Sequence, residues 1–413
     1  FDQLPLTAPP LSRPILIAST KPKEGPRIRV YERTKRLYDW GYRYLKMDGL
    51  HTGLASKMNN DHKSYGDKDF GKAQLDDSHT THVQAYRQGL KIVRDAAPDA
   101  FLLGCNADQN TRILGPSFGM VDAMRIGPDN YKAREGTWQG NRAFQPGHRG
   151  VTVGALHGTN LYFLNGRIWH NDPDPVYVRE SIPLKMARWM CSWVAVSGSM
   201  PSSSVQYDKL SPNRLNLLKR TLPTHDLSAR PVDLFETNEP RIWLVSNDRL
   251  NIIGLFNWKE QSPDTITYDM DKLGLENNKT YVAFDYWADR FVDPFRNELD
   301  RELNPASCQV LAVRPQREHP QLLSTSRHIT QGLMDVVDEK WEKDSKTLSG
   351  TSKVLAGDSY ELRIALPPES TLKPVSSSAK GAAIKISQVE EKGIRVTINT
   401  DQSQKVEWEV TFE

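Results

Sequence analysis

Lys46 and Asp48 close the run Gly41-Tyr-Arg-Tyr-Leu-Lys-Met-Asp-Gly-Leu50, and this run constrains the fold more than any other stretch. Tyr42, Tyr44 and Leu45 give it strand character. Residues two apart on a strand point to one face, so Lys46 and Asp48 aim the same way. Charges are rarely set at the end of a buried strand unless they are paired or used. Gly49 and the polar residues after it read as the loop where the strand leaves its sheet. In a parallel α/β barrel, catalytic side chains sit at such carboxyl ends. The plain alternative is a structural Lys–Asp ion pair that caps the strand.

The first half of the chain alternates between strand and helix patterns. A short buried strand is expected within residues 11–20, near Ile15, and helical spacing runs from Arg29 to Trp40. A helix is expected over Thr81–Ala97, with Val83, Tyr86, Leu90 and Val93 on one face, and Pro98 stops it. Phe101–Cys105 and Gly119–Arg125 read as strands, and His157–Phe163 reads as helix. Arg167–Asn171 reads as a strand, Val178–Ser192 as helix and Trp193–Gly198 as a last short strand. This alternation predicts a parallel barrel or a doubly wound sheet, and acidic residues at several strand ends favour the barrel.

The strands expected near Ile15, Leu45, Leu102, Val121, Ile168 and Val194 number six, whereas a (β/α)8 TIM barrel needs eight. The barrel is therefore expected to be incomplete in this chain, as the carboxyl-terminal part of a longer protein, or to be completed in a hidden way. From about Pro212–Pro231 onward, short alternating runs with turn signals predict all-β sandwich material. Examples are Arg241–Val245, Asn251–Phe256, Tyr360–Ile364 and Ile394–Ile398. The expected organisation is a barrel portion over 1–225, a β-sandwich over 226–330, and a second sandwich or an extension of the first over 331–413. Pro367–Lys380, rich in Ser and Pro, reads as a linker.

Composition narrows the function classes. The net charge of +3 gives no argument for nucleic acid or acidic lipid as a partner. No apolar run reaches membrane-spanning length. Cys105, Cys191 and Cys308 are far apart and odd in number, so neither a zinc site nor a disulfide framework is indicated. Phe1-Asp2-Gln3-Leu4 reads as a mature or cut start, which fits a secreted or periplasmic protein whose export signal has been removed. Ten tryptophans in a hydrophilic chain serve either sugar stacking or core packing. Oligomerisation is left open.

Two strand-end carboxylates stand out, Asp48 and Asp129. Asp129 follows Arg125 by four residues, and Arg125 can grip a carboxylate or a sugar hydroxyl through paired hydrogen bonds. Two carboxylates at one barrel mouth suit glycoside cleavage, where one attacks the anomeric carbon and the other protonates the departing oxygen. Lys46 would keep Asp48 ionised. Asp129 would need a raised pKa to begin as the acid. Asp172 and Asp174, at a third strand end, suit sugar-hydroxyl binding or loop structure; a lone Asp of this kind more often caps a loop.

At these residues the chain resembles a family. Tyr44-Leu-Lys-Met-Asp-Gly49 is similar to the Lys-x-Asp nucleophile motif of clan D glycoside hydrolases, the α-galactosidases of families 27 and 36 and the α-glucosidases of family 31. Met124-Arg-Ile-Gly-Pro-Asp129 resembles the Arg-x-x-x-Asp acid/base segment of families 27 and 36. Gly104-Cys105-Asn106 resembles the cysteine-bearing loop of family 36, and Asn171-Asp-Pro-Asp174 resembles a segment of bacterial members. The order fits the fourth to seventh barrel strands, and the resemblance covers about residues 10–330. It implies a retaining, exo-acting α-glycosidase with no cofactor and no metal, acting on terminal α-galactosides of oligosaccharides or polysaccharides. Asp48 would be the nucleophile, Asp129 the acid and then the base, and Lys46, Cys105, Arg125 and Asp172 would bind the sugar. Met47 stands where the α-galactosidase motif has Trp, which leaves galactose, N-acetylgalactosamine and modified galactose as glycones. Family 36 members also carry an amino-terminal β-domain and first barrel strands that this sequence does not show.

Two rivals compete with that reading. A metal-dependent barrel hydrolase would draw on His51, His62, His79 and His82, but no His-x-His pair ends a strand. A non-catalytic carbohydrate-binding or scaffold protein would suit the β-rich half and the short barrel.

Overall fold

The computed structural model describes residues 25–50, 54, 79–105, 113–127, 153–176, 178–237, 239–259 and 261–413. The strand expected near Ile15 lies outside these residues, as do His51, His62, Asn106 and Asp129. The chain divides into two units, residues 1–128 with 167–172, and residues 129–166 with 173–413.

The first unit contains α1 (Gly25–Asp39), β1 (Tyr44–Met47), α2 (His82–Ala96), β2 (Phe101–Gly104), α3 (Leu114–Ser117), β3 (Ala123–Arg125) and β4 (His170–Asp172). Its four strands form one sheet in the order β1-β2-β3-β4, and each neighbouring pair is parallel. Parallel neighbours require crossover connections, and α2 and α3 supply two of them. A capping box opens α2: Gln84 N donates to Thr81 Oγ1 at 3.2 Å, and Thr81 N donates to Gln84 Oε1 at 2.7 Å. Tyr86, Leu90 and Val93 of α2 are buried as the periodicity predicts, but Val83 is 43% exposed. Val83 sits in the first turn, and the buried face begins one turn later. Val30 of α1 and Val93 of α2 pack with Leu102, Leu45 and Met47 over one face of the sheet. Arg94 ties the sheet together, donating to Asp122 Oδ2 at 2.6 Å and to the Ala100 carbonyl at 2.6 Å. The same Asp122 oxygen accepts from Leu102 N at 2.7 Å.

The second unit begins with α4 (Val153–Asn160), α5 (Leu184–Ser197) and α6 (Pro212–Thr221). Here the structure corrects the sequence reading. The segment Trp193–Gly198, expected to be a strand, continues α5 as far as Ser197. A short run that is apolar on every side has no period that separates strand from helix. From Trp189 to Ser197 every residue of the helix is buried: Trp189 lies 4.8 Å from Trp258, and Trp193 lies 5.7 Å from Trp243, ring centre to ring centre. Gly198 ends α5 at φ +68°, the left-handed conformation that glycine adopts without strain. Beyond the helix, Ser203 forms an isolated parallel bridge with Val176.

Two sandwiches follow. In the first, β5 (Arg230–Pro231), β6 (Ile242–Ser246), β7 (Asn251–Asn257), β8 (Asp264–Asp269), β9 (Tyr281–Asp285), β10 (Arg290–Phe295), β11 (Glu298–Leu303) and β12 (Ser307–Pro315) form two sheets. Their orders are β10-β9-β12-β7-β6-β5 and β11-β8. The two sheets share a core that includes Ile253, Leu255, Ile266, Leu299 and Leu311. In the second, the sheets contain β13 (Gln321–Thr325), β14 (Val336–Glu342), β15 (Thr347–Val354), β16 (Tyr360–Ala365), β17 (Pro374–Ala379), β18 (Ala383–Glu390), β19 (Gly393–Asn399) and β20 (Gln404–Phe412). Their orders are β13-β16-β19-β18 and β14-β15-β20-β17, over a core built on Leu362, Ile364, Val396 and Trp408. The segment read as a linker contains β17, which pairs with β20. Val375-Ser-Ser-Ser-Ala379 is an edge strand with no fully buried residue, so its composition resembles a linker. The sandwiches meet through Phe284, Phe291, Leu323 and Ala365. Among the described residues, no helix is long and apolar enough to cross a membrane.

Two tests bear on this packing. A Cβ at Gly198 would sit 2.7 Å from His225 Cε1 and 3.0 Å from the His225 carbonyl oxygen. Gly198→Val should therefore destabilise the protein by about 1–3 kcal/mol in urea unfolding. An unchanged unfolding midpoint would contradict the tight end of α5. His225 is buried with Nε2 3.0 Å from the Val196 carbonyl and Nδ1 accepting from Leu227 N at 3.2 Å, and burial lowers its pKa. Burial also lowers that of His328. The unfolded chain takes up these protons first, so stability present above about pH 6.5 should be lost as the pH falls through the lowered folded values. Thermal unfolding midpoints measured from pH 7.5 to 5 should fall, and should fall less in His225→Gln; a flat profile would contradict this.

Candidate active site

The register of the parallel sheet sets the site. Met47 pairs with Gly104, Gly104 with Met124, and Met124 with Asn171. One residue further along, Arg125 pairs with Asp172. The ladder continues past the strand ends, where Cys105 N donates to the Met47 carbonyl at 2.9 Å and Ile126 N donates to the Asp172 carbonyl at 3.0 Å. Asp48, Cys105, Arg125 and Asp172 thus form the last row at the carboxyl edge. Side chains alternate along a strand, so this row and Lys46 face away from the side that Leu45, Met47 and Leu102 bury under the helices.

Local structure holds each member in place. Gly49 has φ +67°, and its N–H donates to Asp48 Oδ1 at 2.7 Å, which orients that carboxylate as the chain turns out of β1. Gly104 lets the strands approach, since a Cβ there would fall 2.8 Å from Met124 Cε and 3.0 Å from Leu50 Cδ1. Asn171 accepts from Trp169 Nε1 at 3.0 Å, and Trp169 packs edge-on to Phe118. Arg125 and Asp172 are both buried.

Cys105 reports the electrostatics of the row. Burial pushes its thiol up to about 12, and the Asp48 carboxylate adds to that, while the Arg125 and Lys46 cations act in the opposite direction. Three charged side chains from two different strands are therefore felt at one sulfur atom. Burial likewise raises the Tyr44 phenol, with smaller contributions from Asp172 and Cys105. The neutral Cys105 thiol suits polar contact and not nucleophilic attack near pH 7. An anionic carboxylate flanked by cations can attack an electrophilic carbon or hold hydroxyl groups.

The structure brings Lys46, Asp48, Cys105, Arg125 and Asp172 to one sheet edge. Asp129 lies outside the described residues. Asp174 belongs to the second unit and adopts φ +75°, a loop conformation. Sequence reasoning overlooked an aromatic floor below the row. Tyr44 and Phe101 stack at 5.7 Å with planes 5° apart, and Phe101 stacks on His170 at 6.4 Å. Alternation was the available signal, because Tyr44 stands two residues before Lys46.

No family model matches this chain. Solved structures do. A GH27 β-L-arabinopyranosidase from Geobacillus stearothermophilus superposes with a TM-score of 0.51 at 16% identity, over 71% of this chain and 62% of its own. Isomalto-dextranase from Arthrobacter globiformis T6, complexed with panose, gives 0.51 at 14% identity, over 94% of this chain and 73% of its own. The Saccharomyces cerevisiae α-galactosidase with raffinose gives 0.50 at 12% identity, over 70% and 75%.

The likeness is one of fold. This chain shares with these proteins an α/β portion followed by β-structure, and it spans 62% of the arabinopyranosidase's length.

The thiols supply a direct check. All three cysteines are buried and reduced, with pKa values pushed up to about 12 by burial. Iodoacetamide at pH 8 should leave Cys105 unmodified in the native protein and label it in urea, as read by peptide mass spectrometry. Labelling of native Cys105 at the rate of a small free thiol would contradict the buried setting of the row.

Proposed function

We propose that this chain carries the carboxyl-terminal part of a (β/α)8 barrel and the trailing β-sandwiches of a retaining, exo-acting α-glycosidase. The observation that carries the reading is the single row of Asp48, Cys105, Arg125 and Asp172 at the carboxyl ends of four adjacent parallel strands. In barrel enzymes this is where chemistry is done. The fold shared with glycosidases supports the reaction class.

In this reading the Asp48 carboxylate attacks the anomeric carbon as the bond to the leaving oxygen breaks, and Asp129 gives that oxygen its proton. A water then loses a proton to Asp129 and displaces Asp48, so the anomeric configuration is retained. Lys46, Cys105, Arg125 and Asp172 hold the hydroxyls of the sugar, and Tyr44 offers an apolar face to the ring. Asp129 takes its role from its spacing after Arg125 and from the resemblance to the acid/base segment. The substrate is a terminal α-galactoside or a sugar of the same ring configuration. β-L-Arabinopyranose has that configuration without the exocyclic carbon, which makes it the informative comparison. The proposed domain division keeps the barrel portion in 1–225 and β-structure from 226 onward.

Turnover of aryl α-galactosides and aryl β-L-arabinopyranosides, with product anomer read by NMR, tests the class. Asp129→Asn should lower turnover of glycosides with poor leaving groups by roughly 10²–10⁴-fold, and much less for activated aryl glycosides. Equal losses on both would remove Asp129 as the acid. Asp48→Gly should be inactive and should regain turnover with azide, giving a glycosyl azide of inverted configuration. Full activity in Asp48→Gly would place the nucleophile elsewhere. Saturable galactoside binding without turnover of any aryl glycoside would favour a purely carbohydrate-binding protein.

A further inference from the structure

The row at the carboxyl edge sets one small uncharged side chain beside the proposed nucleophile. Cys105 N donates to the Met47 carbonyl at 2.9 Å, so Cys105 lies next to Asp48 on the neighbouring strand. Neighbouring strands are about 4.8 Å apart, and both side chains point to the face opposite the helices. That spacing suits two short side chains that meet in a single hydrogen bond. Arg125 stands one strand further along, two strand spacings from Asp48.

The surroundings of the thiol give its proton a direction. Cys105 is buried, and a buried donor is nearly always matched. Burial keeps the thiol protonated, and the Asp48 carboxylate adds to this by its charge and as a hydrogen-bond partner. The charged side chains felt at the sulfur are those of Asp48, Arg125 and Lys46. Of these three, Asp48 alone can accept the proton, because guanidinium and ammonium groups only donate. The same carboxylate is also held from its own strand. Gly49 N donates to Asp48 Oδ1 at 2.7 Å, with Gly49 at φ +67°.

Two donors on different strands fix what one cannot. The last torsion of an aspartate side chain is broad, so a single contact leaves the carboxylate plane free to turn. A second donor from the next strand stops that turn. A thiol is a weak donor, so it aligns the carboxylate and takes little of the charge that attack requires. Its sulfur lone pairs are left for a sugar hydroxyl. We infer that Cys105 is a positioning residue, whose S–H is given to Asp48 and, with the Gly49 N–H, sets the plane in which that carboxylate meets the anomeric carbon. The role in turnover rests on the hydrolytic reading, whereas the S–H contact does not.

The S–H stretching band of the full chain, read by Raman spectroscopy, tests the contact without any substrate. The Cys105 band is assigned by its loss in Cys105→Ala or Cys105→Ser. Asp48→Ala should move it to higher wavenumber, as for a thiol that loses its acceptor, and should leave the Cys191 and Cys308 bands in place. If Asp48→Ala does not fold, Asp48→Asn replaces it, with a smaller shift in the same direction. A Cys105 band that does not move overturns the inference. Kinetics on the aryl glycoside that the wild type turns over test the role. Cys105→Ala should lower kcat about tenfold while KM changes less than about twofold, and Cys105→Ser, which keeps a donor, should recover most of the loss. A loss confined to KM, or no recovery in Cys105→Ser, overturns the positioning role. A moving band in a wild type that turns over no aryl glycoside supports the contact and removes the hydrolytic reading. An unmoved band with normal turnover removes the inference and leaves that reading.

Discussion

The proposed hydrolytic site depends on the in-register pairing of four short parallel strands. Backbone hydrogen bonds, among them Phe101 N to the Arg43 carbonyl, Cys105 N to the Met47 carbonyl and Ile126 N to the Asp172 carbonyl, lock the strands so that Met47, Gly104, Met124 and Asn171 lie side by side. The next residues out then fall in one line by geometry alone. A slip of a single residue would turn Asp48 or Arg125 toward the face that packs on α1 and α2. The Arg94–Asp122 pair opposes such a slip, because Asp122 also holds the first amide of the Leu102 pairing. Precision at the strand ends is thus a property of the backbone, and the functional side chains inherit it.

Burial then gives the row its chemistry. Arg125 and Asp172 are each 2% exposed, and Cys105 is 4% exposed. Opposite charges at such depth stabilise one another in a low-dielectric setting, and the neutral thiol on the other side of Arg125 adds polarity without a reactive anion. The stacked Tyr44, Phe101 and His170 rings lie on the same face, one to two rows further in. Charged groups at the rim over aromatic surface suit a ligand with hydroxyl edges and an apolar ring face.

Much of this was legible in the sequence, and the failures have physical causes. Lys46 and Asp48 announced a shared face because the strand period is two, and Tyr86, Leu90 and Val93 announced a helical face because the helix period is 3.6. Trp193-Val-Ala-Val-Ser197 gave no such clue, since a segment buried on every side has no polar positions to mark its period. Pro367–Lys380 failed for the opposite reason, as an edge strand that buries almost nothing reads like a linker. The alternation that sets Tyr44 on the face of Lys46 went unread, and the polar end of the first sandwich was hidden because it is assembled across two facing sheets. Only the cross-strand pairings reveal that Asp285, Gln309 and Arg301 stand where aliphatic residues belong.

The most direct measurement is covalent trapping with an activated fluorinated galactosyl donor, followed by peptide mass spectrometry. The account predicts a single fluoroglycosyl adduct on the peptide that contains Asp48, attached through its carboxylate. An adduct on any other carboxylate would contradict it, as would turnover of the donor with no adduct on Asp48.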